Sequence, residues 1–415
     1  HPKIRALGEI MNFTDVVSDD DSRTKRVVDK FSEKCPLFPI EGHIPRVSGL
    51  DLARFAHRGI GSDHTHQDVA SLLEKVKMGF LVQIQEKSMS PQLFEAIERY
   101  GLQEWVCFVT DDVLADDLLE KGHMDHLIRK AVSMGMSLED AIYASTWVPA
   151  RRMRLEDRGI LAPGRKADAV ILSDLNHFRI EDVIKDGLFV SKMKPDLINQ
   201  SQGSFLKTVQ RSPLRARDFF LHPPKPEQTR LCLRVMDRDF TSTFTKEKHC
   251  QANVVDGKVD WKAEGLSLLC VIERYGHQRP LAFGFVDKAF DKDVAIATSW
   301  THDHHNILVM GRDEAMMAEA VNTIIAQQGG MSFVSSTQKE TIALPYGGVV
   351  SLEPLETVAK SLKAIREAMR LAGYQSHNEI MSFSVLSLLV SPSLKLSDRG
   401  YVDVRSQKIL PWWVE

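Results

Sequence analysis

A chain of 415 residues has room for two or three domains, and 43% hydrophobic with 26% charged residues is the composition of a globular protein with a large core. Its 53 Lys and Arg against 56 Asp and Glu leave a net charge of −3, without the basic excess expected of a nucleic-acid or membrane-surface binder. Five scattered cysteines without a CxxC pair argue against a disulfide framework or zinc knuckle, and with no signal peptide or membrane-length apolar run the expected location is cytoplasmic.

Ile4 to Ile10 is a short apolar-rich run containing Gly8-Glu9, and Leu37 to His43 is another, closing on Glu41-Gly42-His43. A helical segment is predicted over Leu50 to His57, followed by a brief strand from Gly59 to His64. Val69, Leu72, Leu73 and Val76 recur at helical spacing within Asp68 to Met78. FLVQIQ (Phe80 to Gln85) and WVCFVT (Trp105 to Thr110) read as buried strands, with a helix from Pro91 to Tyr100 between them. Regular alternation of strand and helix predicts a parallel α/β sheet or barrel, in which functional residues sit at the carboxyl ends of strands.

The texture changes at Arg158. A turn-rich stretch leads into a strand over Ala167 to Leu172 and a short strand pair around Gly187, together a small β appendage. Ser191 to Pro226 reads as a linker or wrapping segment. Strands over Arg230 to Val235, Leu266 to Glu273, Val294 to Thr298 and Ile307 to Met310, with helices over Glu314 to Gln327 and Leu355 to Leu371, predict a C-terminal α+β domain.

Four residues close successive predicted strands: Glu9, His43, His64 and Asp111. A divalent cation needs oxygen and nitrogen donors converging on one point, and a parallel barrel can supply one from each of several strands. Coordination lowers the pKa of water from 15.7 towards ~7. Taken singly, each residue has a plainer reading. A strand-end His is commonly a hydrogen-bonded structural group, Glu9 could be a capping or solvated acid, and Asp111-Asp112 could cap the next helix. Their order along the chain is what favours a shared site.

The segments LGEIMNF, EGHIPRVSGLDLARF, GIGSDHTHQ, VTDDVLADDLLEKGHMDHLIRKA and RGILAPGRKADAVILSDL resemble, in order, the bacterial adenine deaminases of the amidohydrolase superfamily. THDHHNILVMGRDEAMMAEAVN, QQGG, LPYGGVVS and SPSLKLSDRGYVD are similar to that family's own C-terminal domain, so the likeness covers nearly the whole chain. It implies a metal-dependent TIM-type barrel represented by its strands four to eight (residues 1–155), a small β-sandwich portion and linker (156–205) and the adenine deaminase C-terminal domain (206–415). It further implies Glu9 as a carboxylate shared between metals, His43 and His64 as ligands, and Asp111 as ligand and proton shuttle. His64 would also help stabilise charge on the attacked centre. The implied cofactor is a divalent metal, Mn first with Fe or Zn as alternatives, binuclear in the complete protein. The implied reaction converts adenine to hypoxanthine and ammonia. The partner is then a small-molecule base, adenine or a relative, with no nucleic acid and no membrane, and an extra C-terminal domain is compatible with a homo-oligomer.

Two departures from the family stand out. Superfamily enzymes carry a His-x-His pair on the first strand, which is missing here, so the sequence is expected to be an N-terminally incomplete form of a longer protein. His64/His66 has the same spacing, but His66 is expected to turn into the following helix. The second departure is Thr65, where adenine deaminases usually carry Glu; it leaves open a hydrolase acting on a different amidine or cyclic amide. A catalytically inert binding or assembly module is a further alternative. The cluster His302, Asp303, His304 and His305 reads as a solvated loop, with a lid over substrate as the alternative. His123 is expected to be helix-associated and structural. No phosphate-binding loop is present, and the PCxxC of cytidine-deaminase folds is absent.

Overall fold

The computed structural model describes residues 4–18, 21–194 and 203–415. Residues 195–202, inside the expected linker, lie outside them. The chain forms two compact units, His1–Leu197 and Ile198–Glu415. Among the described residues no helix is long and apolar enough to cross a membrane.

The first unit opens with strand β1 (Leu7–Ile10) and helices α1 (Phe13–Ser18) and α2 (Arg23–Lys34), then β2 (Ile40–Gly42), α3 (Gly49–His57), β3 (Ser62–Asp63), α4 (Val69–Lys77), β4 (Leu81–Ile84), α5 (Pro91–Arg99) and β5 (Val106–Phe108). Local chemistry marks several helix starts. Asp68 accepts from the Ser71 N–H, and Ser90 accepts from the Leu93 N–H with Pro91 at the first helical position. The strands run parallel and in sequence order. β1 pairs with β2, an isolated parallel bridge joins Ile40 to Ile60, and β3–β4–β5 form a three-stranded parallel sheet. The strand expected over Gly59 to His64 thus contracts to a bridge and two paired residues, and that over Trp105 to Thr110 begins after a 3-10 turn at Gln103–Trp105.

Side chains along these strands alternate. Val82, Ile84, Val106 and Phe108 pack with Leu93, Phe94 and Ile97 of α5 in one core. The alternate positions carry polar groups. Glu41 accepts a hydrogen bond from Ser62 and one from Gln83 Nε2 at 3.0 Å, and is clamped by Arg152 Nε at 2.8 Å. Arg152 belongs to a closing run of helices, α6 (Ala115–Lys121), α7 (Met124–Ser133), α8 (Leu138–Ser145) and α9 (Trp147–Arg152). Strands β6 (Ala169–Asp174), β7 (Arg179–Lys185) and β8 (Leu188–Phe189) make a separate antiparallel sheet.

The second unit is built on a mixed sheet of β9 (Arg230–Arg238), β10 (Thr245–Val255), β11 (Lys258–Asp260), β12 (Leu266–Ile272), β13 (Ala282–Asp287), β14 (Val294–Thr298), β15 (Ile307–Gly311), β16 (Gly330–Ser335) and β17 (Lys339–Ala343). Its order is β11-β10-β9-β13-β12-β15-β14-β16-β17, and only the β9–β13 pair is parallel. Every residue of β12, β14 and β15 is buried, so both sheet faces are covered there. Helix α10 (Glu314–Gln327) packs Met317, Val321 and Ile324 against one core, and α11 (Leu355–Leu371) lies against β16 and β17. Phe219 and Leu221 are also buried in that core, so this part of the expected linker wraps the unit.

A three-stranded sheet of β18 (Leu394–Ser397), β19 (Gly400–Asp403) and β20 (Lys408–Leu410) follows α12 (Glu379–Ser384). Lys395, on β18, is fully buried and donates to the Thr243 carbonyl at 2.7 Å. Burial pushes its pKa down to about 7.

Candidate metal centre

Three of the four strand-end residues come together. Glu9 Oε2 lies 3.2 Å from His43 Nδ1 and 2.9 Å from His64 Nε2, and the two imidazole nitrogens are 3.1 Å apart. One donor atom from each falls within 4.8 Å of the others. The strand period explains the convergence. His43 follows Glu41 by two residues and His64 follows Ser62 by two, so both rings emerge on the polar face one step beyond the Glu41–Ser62 contact. Gly42 is required between them: a Cβ there would stand 2.6 Å from the Ser62 carbonyl oxygen, because β2 and β3 approach closely at the site.

Burial raises the proton affinity of Glu9, but its hydrogen bonds and charge interactions with His43 and His64 outweigh this and hold the carboxyl at about 2. Desolvation lowers the pKa of His64, yet the bond to Glu9 and the charges of Glu9, Asp111 and Asp63 raise it overall. An ionised carboxylate between two imidazoles is an oxygen–nitrogen donor set that suits Mn, Fe or Zn.

Asp111 lies outside the tight cluster. It sits just beyond β5 in the left-handed region, at φ +56°, a strained conformation for a residue with a side chain. Its Oδ2 accepts from Gln85 Nε2 at 2.5 Å, and its charge is felt at His64. It does not cap the next helix, since α6 begins after Leu114.

Gln85 has no counterpart in the sequence-level site. The signal for it was present, because Gln83 and Gln85 interrupt the apolar FLVQIQ at strand period on the same face as Glu41 and His64. Thr65 is buried, and its hydroxyl donates to Asp63 Oδ2 at 2.7 Å rather than standing free beside His64. His66 is exposed and lies in the loop before α4 instead of entering the helix. His123 does stand at a helix start, but it is exposed, and its Nε2 is 3.0 Å from Thr110 Oγ1 beside Asp111.

In the second unit, the loop from His302 to His305 departs from the solvated reading. His302 Nδ1 lies 3.0 Å from Ser384 Oγ, His304 accepts the Asn306 N–H at 3.0 Å, and burial pushes the His304 pKa down to about 4. The chain turns tightly here between β14 and β15, and the rings fold back onto the unit instead of into water.

Residues 64–190 match the amidohydrolase family and residues 242–408 match the adenine deaminase C-terminal domain. The chain is 40% identical over 420 residues to an adenine deaminase of Clostridium perfringens, covering 99% of this chain and 73% of that protein. It is 40% identical over 413 residues to adenine deaminase 2 of Oenococcus oeni, covering 99% and 72%. An adenine deaminase of Lactobacillus delbrueckii subsp. bulgaricus is 40% identical over 415 residues, with coverage of 99% and 73%. Two domain matches in the expected order, and relatives aligned along almost the whole chain, leave a single assignment: the chain belongs to the adenine deaminase family of amidohydrolases.

Proposed function

We propose that the protein hydrolyses adenine to hypoxanthine and ammonia at the centre formed by Glu9, His43 and His64, with Asp111 as the proton carrier. The observation that carries this reading is the meeting of those three donors at successive strand ends in a chain 40% identical to adenine deaminases. The parallel strands β1 to β5 are then strands four to eight of a TIM-type barrel. We assign residues 1–155 to that barrel, 156–205 to a small β portion and linker, and 206–415 to the C-terminal domain. The five free cysteines suit a cytoplasmic location.

A divalent metal belongs to amidohydrolase chemistry, and the residues present fit one. Glu9, His43 and His64 would hold it, with Asp111 completing the set; Mn is our first assignment, in a binuclear arrangement. When bound, such a metal lowers the pKa of water towards ~7 and supplies a nucleophile near neutral pH. The chain's own residues do the rest. Glu9, ionised far below neutral pH, keeps both imidazoles oriented at one point. Asp111, fixed by Gln85, accepts the proton of the water that attacks C6 of the purine. It then returns that proton to the 6-amino nitrogen, which departs as ammonia as the C6–N bond breaks. His64, held at the same point by Glu9, would help stabilise charge developing at the attacked centre.

The test is turnover by the purified full chain supplied with Mn, followed by the conversion of adenine to hypoxanthine. A panel of other aminopurines, pterins and hydantoins run in parallel defines the substrate class. Bound metal without adenine turnover would remove adenine as substrate, and absence of bound metal would remove the centre itself.

A further inference from the structure

A second set of charges adjoins the residues that carry the two imidazoles. Asp63 and Lys75 are both fully buried, with Nζ 2.6 Å from Asp63 Oδ2. The Asp63 carboxylate accepts four more hydrogen bonds. Its Oδ1 takes the backbone N–H of Ile44 at 2.8 Å and that of Thr65 at 3.2 Å. Its Oδ2 takes the Thr65 hydroxyl at 2.7 Å and Gln67 Nε2 at 2.6 Å. Ile44 directly follows His43, and Thr65 directly follows His64, so one carboxylate ties together the backbones that carry both rings.

The network also extends to the neighbouring strand. Gln67 Oε1 accepts from Lys75 Nζ at 3.1 Å, and the Gln67 N–H donates to Ser88 Oγ, just beyond β4, at 3.0 Å. A buried ion pair is a poor source of net stability, since apolar residues of similar volume commonly do as well. Five donors on one carboxylate are better understood as a way of setting distances. We propose that Asp63, held by Lys75, is a positioning residue that fixes His43 and His64 at metal-binding separation. On this view Thr65, standing where the family usually has Glu, serves that network and not the substrate. The inference rests on the reading of His43 and His64 as ligands.

The test compares the wild-type chain with an Asp63→Leu/Lys75→Met double variant, which removes both charges together with the oxygens that accept from Ile44 and Thr65 and leaves no buried ion unpaired. Metal affinity is measured by competition with a chromogenic chelator, alongside circular dichroism, thermal melting, kcat and KM. Loss of groups that orient metal ligands commonly costs 10–100-fold in affinity or activity, and that is the expected weakening of Mn binding in the folded variant. A folded variant whose metal affinity and kcat stay within twofold of wild type would overturn the proposal, because a purely structural pair would shift only the melting temperature.

If the double variant does not fold, Thr65→Val and Thr65→Ser decide. Val removes one donor to Asp63 and is expected to weaken Mn binding several-fold, with Ser restoring it; equal affinity in all three proteins would again overturn the proposal. Failure of the functional reading is separable. A wild type that binds Mn but leaves adenine unchanged loses its substrate assignment, while the affinity comparison still decides the role of Asp63. A wild type that binds no Mn sinks both.

Discussion

Lys395→Met should stabilise the protein at neutral pH, which is unusual for removal of a charge. The Lys395 ammonium is fully buried and has the Thr243 carbonyl at 2.7 Å, and burial alone brings its pKa to about 7. Against the ordinary ~10.4, at ~1.36 kcal/mol per tenfold change in proton affinity, this corresponds to a cost of up to about 4–5 kcal/mol for keeping the proton in the folded state. The sign follows from proton counting. Between pH 7 and about 10 the unfolded chain carries a proton on this lysine that the folded chain lacks, so stability from this group rises with pH across that window. Below pH 7 both states are protonated and the full cost applies.

Met has similar length without the charge, but it forfeits the bond to Thr243, worth about 1 kcal/mol. The net expectation is a gain of about 1–4 kcal/mol at pH 6.5 that shrinks towards zero by pH 10. Urea unfolding of both proteins at pH 6.5, 8 and 9.5, analysed by linear extrapolation, measures it. A Met variant no more stable than wild type at pH 6.5, or a difference that stays flat with pH, would refute the reasoning.

Glu9→Gln keeps the shape but removes the charge between His43 and His64; metal content measured by mass spectrometry should fall and adenine turnover should drop by at least about 100-fold. Asp111→Asn should weaken metal binding, because Asp111 completes the ligand set, and should reduce kcat of the metal-loaded protein by about 10²–10⁴, since an amide cannot accept the water proton. Gln85→Leu frees the Asp111 carboxylate and should lower kcat about 10-fold with little change in KM, read from steady-state kinetics. Arg152→Met leaves the half-buried Glu41 without its cation, though still bonded to Ser62 and Gln83, and should destabilise the first unit by about 1–3 kcal/mol in urea unfolding.

The sequence revealed the strand ends better than the strands. Glu9, His43 and His64 could be placed because each closes a short apolar run, and that position survives errors in strand length such as the contraction of Gly59–His64 to two paired residues. Asp63 escaped notice because its partner Lys75 lies 12 residues on, across a loop and on α4, where no period links them. Helix α2 was also missed: among its twelve residues only Val28 is buried, so the apolar stripe that marks a helix is nearly absent. Strand β10 reads TKEKHCQANVV and is mostly exposed, so its pairing with β9 is set by backbone bonds more than by an apolar pattern. The packing of the His302 and His304 rings is not legible in the polar run that carries them, because it is set by the distant Ser384 and by burial within the folded unit.

The two-residue beat that brings Glu41 and His43, then Ser62 and His64, to the same side has an evolutionary consequence. Lengthening a connection between strands leaves the phase of Glu9, His43 and His64 untouched, so insertions there should be tolerated. A single residue added between Glu41 and His43 would turn the imidazole to the opposite side and break up the Glu9–His43–His64 cluster in one step. Variation in this lineage should therefore accumulate as indels in the connecting segments, while the spacing inside each strand tip stays invariant.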